Sequence, residues 1–171
     1  MSENESVKSS AEQKGNFRFS DAGKDFQKKI DPTTGAGIRI YWLCAQLGLI
    51  AYDKDKSLPT PPGQGNELTD NFVDKTRLHQ VLIRSFLMYR YLGSNSFGID
   101  DLDEEEAEEI ESLMDTFLQT TGSHLKNSGM KELDKYAQKG WDILESNKLN
   151  DITELSVFLE QYVNLIGSYS V

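Results

Sequence analysis

IRIYWLCAQLGLIAY, residues 38–52, carries one charge, Arg39, in a run that is apolar on almost every side. A surface helix shows a single apolar stripe, so a segment apolar nearly all round belongs at the centre of a core. The run predicts a buried central helix over 38–51, with Trp42 largely buried. A buried strand over 38–43 satisfies the same pattern. Cys44 lies between Leu43 and Ala45 with no neighbouring cation but Arg39. A reactive thiolate needs an electropositive, partly exposed setting, so Cys44 reads as core.

Outward from this run, helical periodicity dominates. Upstream, NFRFS (16–20) alternates polar and aromatic residues, which predicts a short extended segment or the run-in to a helix. Ser20 can cap a first helix in which Ala22, Phe26 and Ile30 recur every four residues, and Asp31-Pro32 ends it because a residue before proline leaves the helical region. Downstream, three of the four prolines fall in 53–68, which reads as a long exposed loop. Thr69 or Asp70 then caps a helix to about Leu92, with Leu78, Val81, Leu82, Phe86, Tyr89 and Leu92 on one stripe. A fourth helix, from Asp100 or Asp103 to Thr121, presents Ile110, Leu113, Met114 and Phe117. A fifth, Met130–Ser146, presents Leu133, Tyr136 or Ala137, Gly140, Trp141 and Leu144. The sixth starts at Asp151, which has capping-box spacing to Glu154, and is expected to bury Ile152, Leu155, Leu159, Tyr162, Val163 and Ile166. Six helices with short connections make an all-α fold: a single compact bundle over 17–171 behind a flexible tail, 1–16, whose one large aliphatic residue is Val7.

Charge divides the chain. Residues 1–99 carry 13 Lys and Arg against 11 Asp and Glu, a net of +2, whereas 100–171 carry 5 against 17, a net of −12. Nine of the twelve residues from Asp100 to Glu111 are acidic. Carboxylates suit the positive end of a helix dipole, but so many on one face gain little at home and favour docking to a cationic partner. Asp101, Asp103, Glu104, Glu105 and Glu108 are the candidate partner-binding residues. The 14–29 region is mildly basic, with Lys14, Arg18, Lys24, Lys28 and Lys29 against Asp21 and Asp25, and Arg18, Lys24, Lys28 and Lys29 are the candidate DNA contacts. A strand followed by two helices is also the element order of a ribbon-helix-helix DNA reader, although five cations are few beside a domain-wide basic footprint.

The chemistry of catalysis is thin. The two histidines, His79 beside an apolar stripe and His124 in SHLKNSG, read as boundary and loop residues, leaving no base for a Ser or Cys nucleophile. Asp53, Asp55 and Ser57 open like a calcium loop, but Leu58 holds the sixth position and Gln64 the twelfth. No catalytic residue, metal ligand or cofactor is expected. One cysteine excludes an intrachain disulfide and fits a reducing compartment, and no run reaches the roughly 18 apolar residues that span a bilayer. The expectation is a cytoplasmic, soluble protein without membrane contact.

Phe17–Leu49 resembles the opening of the DndE family, the small subunit of bacterial DNA phosphorothioation systems. The resemblance rests on Ser20, an amphipathic helix with Lys24, Lys28 and Lys29, the Thr34-Gly35 turn, and an apolar helix with early Arg39 and late Leu49, and extends toward residue 92. It implies a compact, self-associating helical protein that binds DNA through lysines and has no catalytic centre. The acidic half has no counterpart in the family pattern. The leading reading is thus a non-enzymatic accessory subunit of a prokaryotic DNA-modification or antiviral-defence complex, with a protein partner, DNA contact and self-association. Its rivals are an acidic nucleic-acid mimic, an adaptor unrelated to DNA, and an enzyme using a carboxylate in a cleft, which a buried carboxyl of raised pKa would favour.

Overall fold

Ser20 Oγ accepts the Gly23 N–H at 3.1 Å and starts α1, Asp21–Ile30. Asp31 then turns extended ahead of Pro32 and closes it. The computed structural model describes residues 17–32, 38–60, 67–68, 108, 112 and 127–169. Among them the chain is all-α, with four helices: α1, α2 (Ile38–Lys54), α3 (Asn127–Ser146) and α4 (Leu155–Tyr169). Before α1, Phe17 and Arg18 form β1, which pairs antiparallel with β2, Glu67–Leu68, setting Phe17 opposite Leu68 and Arg18 opposite Glu67. Alternation holds through β1: Phe17 and Phe19 are fully buried, while Arg18 between them is not.

The apolar run is helical throughout, with no strand over 38–43, and it packs chiefly on α3. Small residues let the two backbones touch. A methyl group built on Gly140 would overlap the Cys44 carbonyl oxygen, and one on Gly48 the Tyr136 carbonyl oxygen. Around this seam Tyr41, Cys44 and Leu47 meet Leu133, Tyr136 and Leu144, all buried. Aromatic rings extend the core edge to face, with Phe19 against Trp141 at 5.9 Å and Phe26 against Phe158 at 5.3 Å.

Buried polar groups join the helices. The N–H of Ile40, in the unsatisfied first turn of α2, donates to the buried Gln27 Oε1 of α1 at 2.9 Å. The Tyr162 hydroxyl of α4 donates to the Leu43 carbonyl at 2.8 Å.

Several expectations move. Trp42 is only partly buried, and Trp141 takes the central place expected of it. α2 runs past Ala51 to Lys54, and residues 67–68 form β2, so both ends of the 53–68 loop are ordered elements. Asp151 closes a 3-10 turn, Leu149–Asp151, and α4 starts only at Leu155. Its buried side is Phe158 and Tyr162, whereas Leu155, Leu159 and Val163, expected in the core, are exposed. The pairing of β1 with a strand of its own chain also differs from a ribbon-helix-helix protein, where the strand pairs with a second copy. The helix expected over 69–92, the tail 1–16, and the acidic helix other than residues 108 and 112 lie outside the described residues.

Lys148 follows α3 with φ 59° and ψ 24°, a left-handed geometry that costs a side-chain-bearing residue about 1–2 kcal/mol. Glycine enters this region freely but loses about 0.5–1 kcal/mol through unfolded-state entropy. Lys148→Gly is therefore expected to stabilise the fold by roughly 0.5–1 kcal/mol in urea unfolding.

Candidate functional site

The candidate DNA contacts begin with α1, whose helical period puts Gly23, Phe26, Gln27 and Ile30 against the core. The opposite side presents Lys24, Lys28 and Lys29 together with Asp21 and Asp25. Lys28 pairs with Asp25 at 3.2 Å with both side chains largely exposed, and Lys29 Nζ donates to the Asp151 carbonyl at 3.3 Å. Exposed pairs of this kind hold by about 1 kcal/mol or less, so a phosphate can replace either partner.

Arg18 stands apart on β1, where its main-chain N–H donates to Asp134 Oδ1 at 3.0 Å. The same oxygen accepts the Tyr41 hydroxyl at 2.8 Å, so a carboxyl of α3 binds β1 and α2 at once. Asp134 is 1% exposed, and its Oδ2 is buried with no hydrogen-bond partner. Burial pushes its pKa up to about 7, against the opposing pull of the Arg18 N–H, the Tyr41 hydroxyl and the Arg18 charge. Burial, aided by the neighbouring Asp134 carboxyl, also raises the Tyr41 phenol, and burial raises the Cys44 thiol, which leaves that sulfur a weak nucleophile.

A cavity of about 470 Å³ lies elsewhere, between the end of α2, the 55–59 segment, α3 and Tyr169. At its wall Lys139, 7% exposed, donates to the Asp55 carbonyl at 2.8 Å, Asp55 Oδ2 at 2.9 Å and the Ser57 carbonyl at 2.8 Å. Three acceptors saturate an ammonium, so this lysine straps a chain segment rather than offering charge to a ligand. The Ser57 hydroxyl and then Lys139 hold the Asp55 carboxyl well below the usual carboxylate range.

Asp134 meets the carboxyl criterion set for the enzyme reading, but it is 1% exposed and does not line the cavity, whose carboxylates are Asp55 and Asp142. Among the described residues no group of three His, Cys, Asp or Glu could hold a metal ion, and no helix is long and apolar enough to cross a membrane. Of the acidic partner candidates, Glu108 is helical and exposed. Asp101, Asp103, Glu104 and Glu105 lie outside the described residues, as do His79 and His124.

The sequence reading passed over Asp134, Lys139 and Gln27. A signal for Asp134 existed: it stands four residues after Met130, three before Ala137 and seven before Trp141, on the stripe that α3 buries. A carboxylate in an apolar register is the mark of a buried polar group.

No family model matches the chain, and neither a curated protein nor a solved structure does.

Proposed function

We propose that this chain is a non-enzymatic helical accessory subunit of a prokaryotic assembly that modifies or defends DNA. Its N-terminal cations touch DNA and its acidic half docks on a protein partner. The observation that carries the reading is the outer side of α1, where Lys28 and Lys29 stand opposite the buried Phe26, Gln27 and Ile30 in weak exposed contacts, with Lys24 half-buried beside them. The resemblance of 17–49 to the DndE family supports it. The exposed Leu155, Leu159 and Val163 of α4 support the protein-partner part, since a stripe of neighbouring exposed aliphatic residues favours association. Six helices in all, a cytoplasmic setting and self-association belong to the same proposal.

Salt dependence tests it. Each phosphate contact releases condensed counterions, so log affinity falls with log salt by about 0.9 per contact. Contacts by Arg18, Lys24, Lys28 and Lys29 give an expected slope near −3.6, and the double change Lys28→Ala, Lys29→Ala is expected to flatten it by about two units. Absence of binding to nicked and intact duplex in low salt, with and without the native partner, removes DNA from the reading and leaves an adaptor. The partner role is checked separately: Glu104, Glu105 and Glu108 changed to Gln should slow association and weaken its salt dependence.

A further inference from the structure

The Asp134 carboxyl sits where β1, α2 and α3 meet, and its two oxygens have unlike surroundings. Oδ1 accepts from Arg18 N–H and Tyr41 O–H, while Oδ2 is enclosed without a hydrogen bond. Among the described residues the charged and titratable groups acting on it are Arg18 from β1 and Tyr41 from α2. Glu67 stands opposite Arg18 in the strand register, and Lys131, one turn earlier on α3, is exposed. A neutral carboxyl fits this site, since a proton on Oδ2 leaves Oδ1 free to accept both bonds. An ionised one does not, because Oδ2 then carries charge in an interior that offers it no donor.

Relief requires water at Oδ2, and the neighbouring elements differ in what they lose by moving. α2 and α3 are helices of 17 and 20 residues locked backbone to backbone at Gly48 and Gly140. β1 is two residues long, pairs with the two residues of β2, sets the Phe17 ring against Tyr41 of α2 and is tied to α3 by the Arg18 N–H. Its flanking rings, Phe17 and Phe19, are fully buried, so closure dominates at every pH and the proton grades a minor open population.

We propose that Asp134 is a proton-operated latch on β1. The protonated carboxyl holds the strand closed, and loss of that proton to solvent raises the frequency with which β1 swings out, carrying Arg18 with it. With the closed-state pKa near 7 and an ordinary carboxyl near 4 in the open state, linkage makes opening rise about tenfold per pH unit between those values and level off above them. The latch thereby sets how often Arg18 is presented, whatever anion it meets.

Amide hydrogen exchange on the full chain reads the latch without any nucleic acid. After correction for intrinsic rates, protection of the Arg18 amide is expected to fall on the order of 100-fold from pH 5 to 7, and to change little above about 7.5. It should stay below that of Leu47 in α2 throughout, and in Asp134→Asn it should lose its pH dependence. Arg18 protection equal to that of Leu47 at every pH overturns the proposal, because only global unfolding would then reach the carboxyl. So does protection independent of pH in the wild type. Should the Asn variant not fold, the carboxyl carbon of Asp134, followed by NMR in the wild type, supplies the second measurement: titration near 4 overturns the latch, and titration near 7 with graded Arg18 exchange supports it.

Discussion

Gly140→Ala is expected to destabilise the protein by about 3 kcal/mol or more in urea unfolding, although alanine is the better helix former by about 1 kcal/mol. The steric term wins because the added methyl meets the Cys44 carbonyl, a backbone atom in the middle of a helix that no rotamer change can move aside. Only separation of α2 from α3 makes room, and that loosens the packing between the two longest of the described helices. Gly48→Ala should act alike through the Tyr136 carbonyl. The double variant should cost less than the sum, since one separation accommodates both methyls. Gly167→Ala is the control: nothing lies within 4 Å of the added carbon, so a gain of about 0.5–1 kcal/mol is expected. A Gly140→Ala protein as stable as that control would mean the helices do not approach this closely.

The second large effect is a stability that falls as pH rises from about 4 to 7. Asp134 has a raised folded-state pKa, so its neutral form is favoured in the fold and its ionised form in the unfolded chain. Its contribution is complete below the unfolded value near 4 and is lost on the way to 7, by as much as about 4 kcal/mol for three pKa units. Asp55, held low, acts in the opposite sense: what it contributes is present above about 4 and disappears in acid. The contribution of these two groups should therefore peak near pH 4, and Asp134→Asn, which stays neutral, should lack the decline above the peak. Urea unfolding of both proteins between pH 4 and 8 measures this. A wild type and an Asn variant with parallel profiles would show that Asp134 ionises in the fold as easily as in water.

Features set by local chemistry were legible before any coordinates. Ser20 and Asp31-Pro32 delimit α1 because a side-chain cap and a proline act on their own neighbours. The apolar run 38–52 was legible as core because a segment apolar nearly all round has to be hidden, and the structure makes it helical where a strand over 38–43 fitted the pattern too. α4 shows where the reading stops. Leu155, Leu159 and Val163 form one apolar stripe and Phe158 and Tyr162 another beside it, and periodicity alone ranks them equally. The two aromatics win because they bury more area and because the Tyr162 hydroxyl finds the Leu43 carbonyl, an acceptor known only once α2 is in place. Trp42 and Trp141 are divided in the same way, by tertiary neighbours rather than by residue type. The candidate cations on α1 were legible as a pattern, whereas Asp134 gains its character from burial beneath elements that bring Arg18 and Tyr41 to it from 116 and 93 residues away in sequence.

The crossed notches at Gly48 and Gly140 also limit how this molecule can transmit a signal. Many helical proteins switch by sliding one helix past another by a turn, which requires a second register of nearly equal energy. Here a one-turn slide of α2 brings Cys44 or Tyr52 to the Tyr136 carbonyl, where only a hydrogen atom fits. The close approaches leave the α2–α3 pair a single seating, so a displacement imposed on either helix is passed on by the pair as a whole rather than taken up as a shear within it.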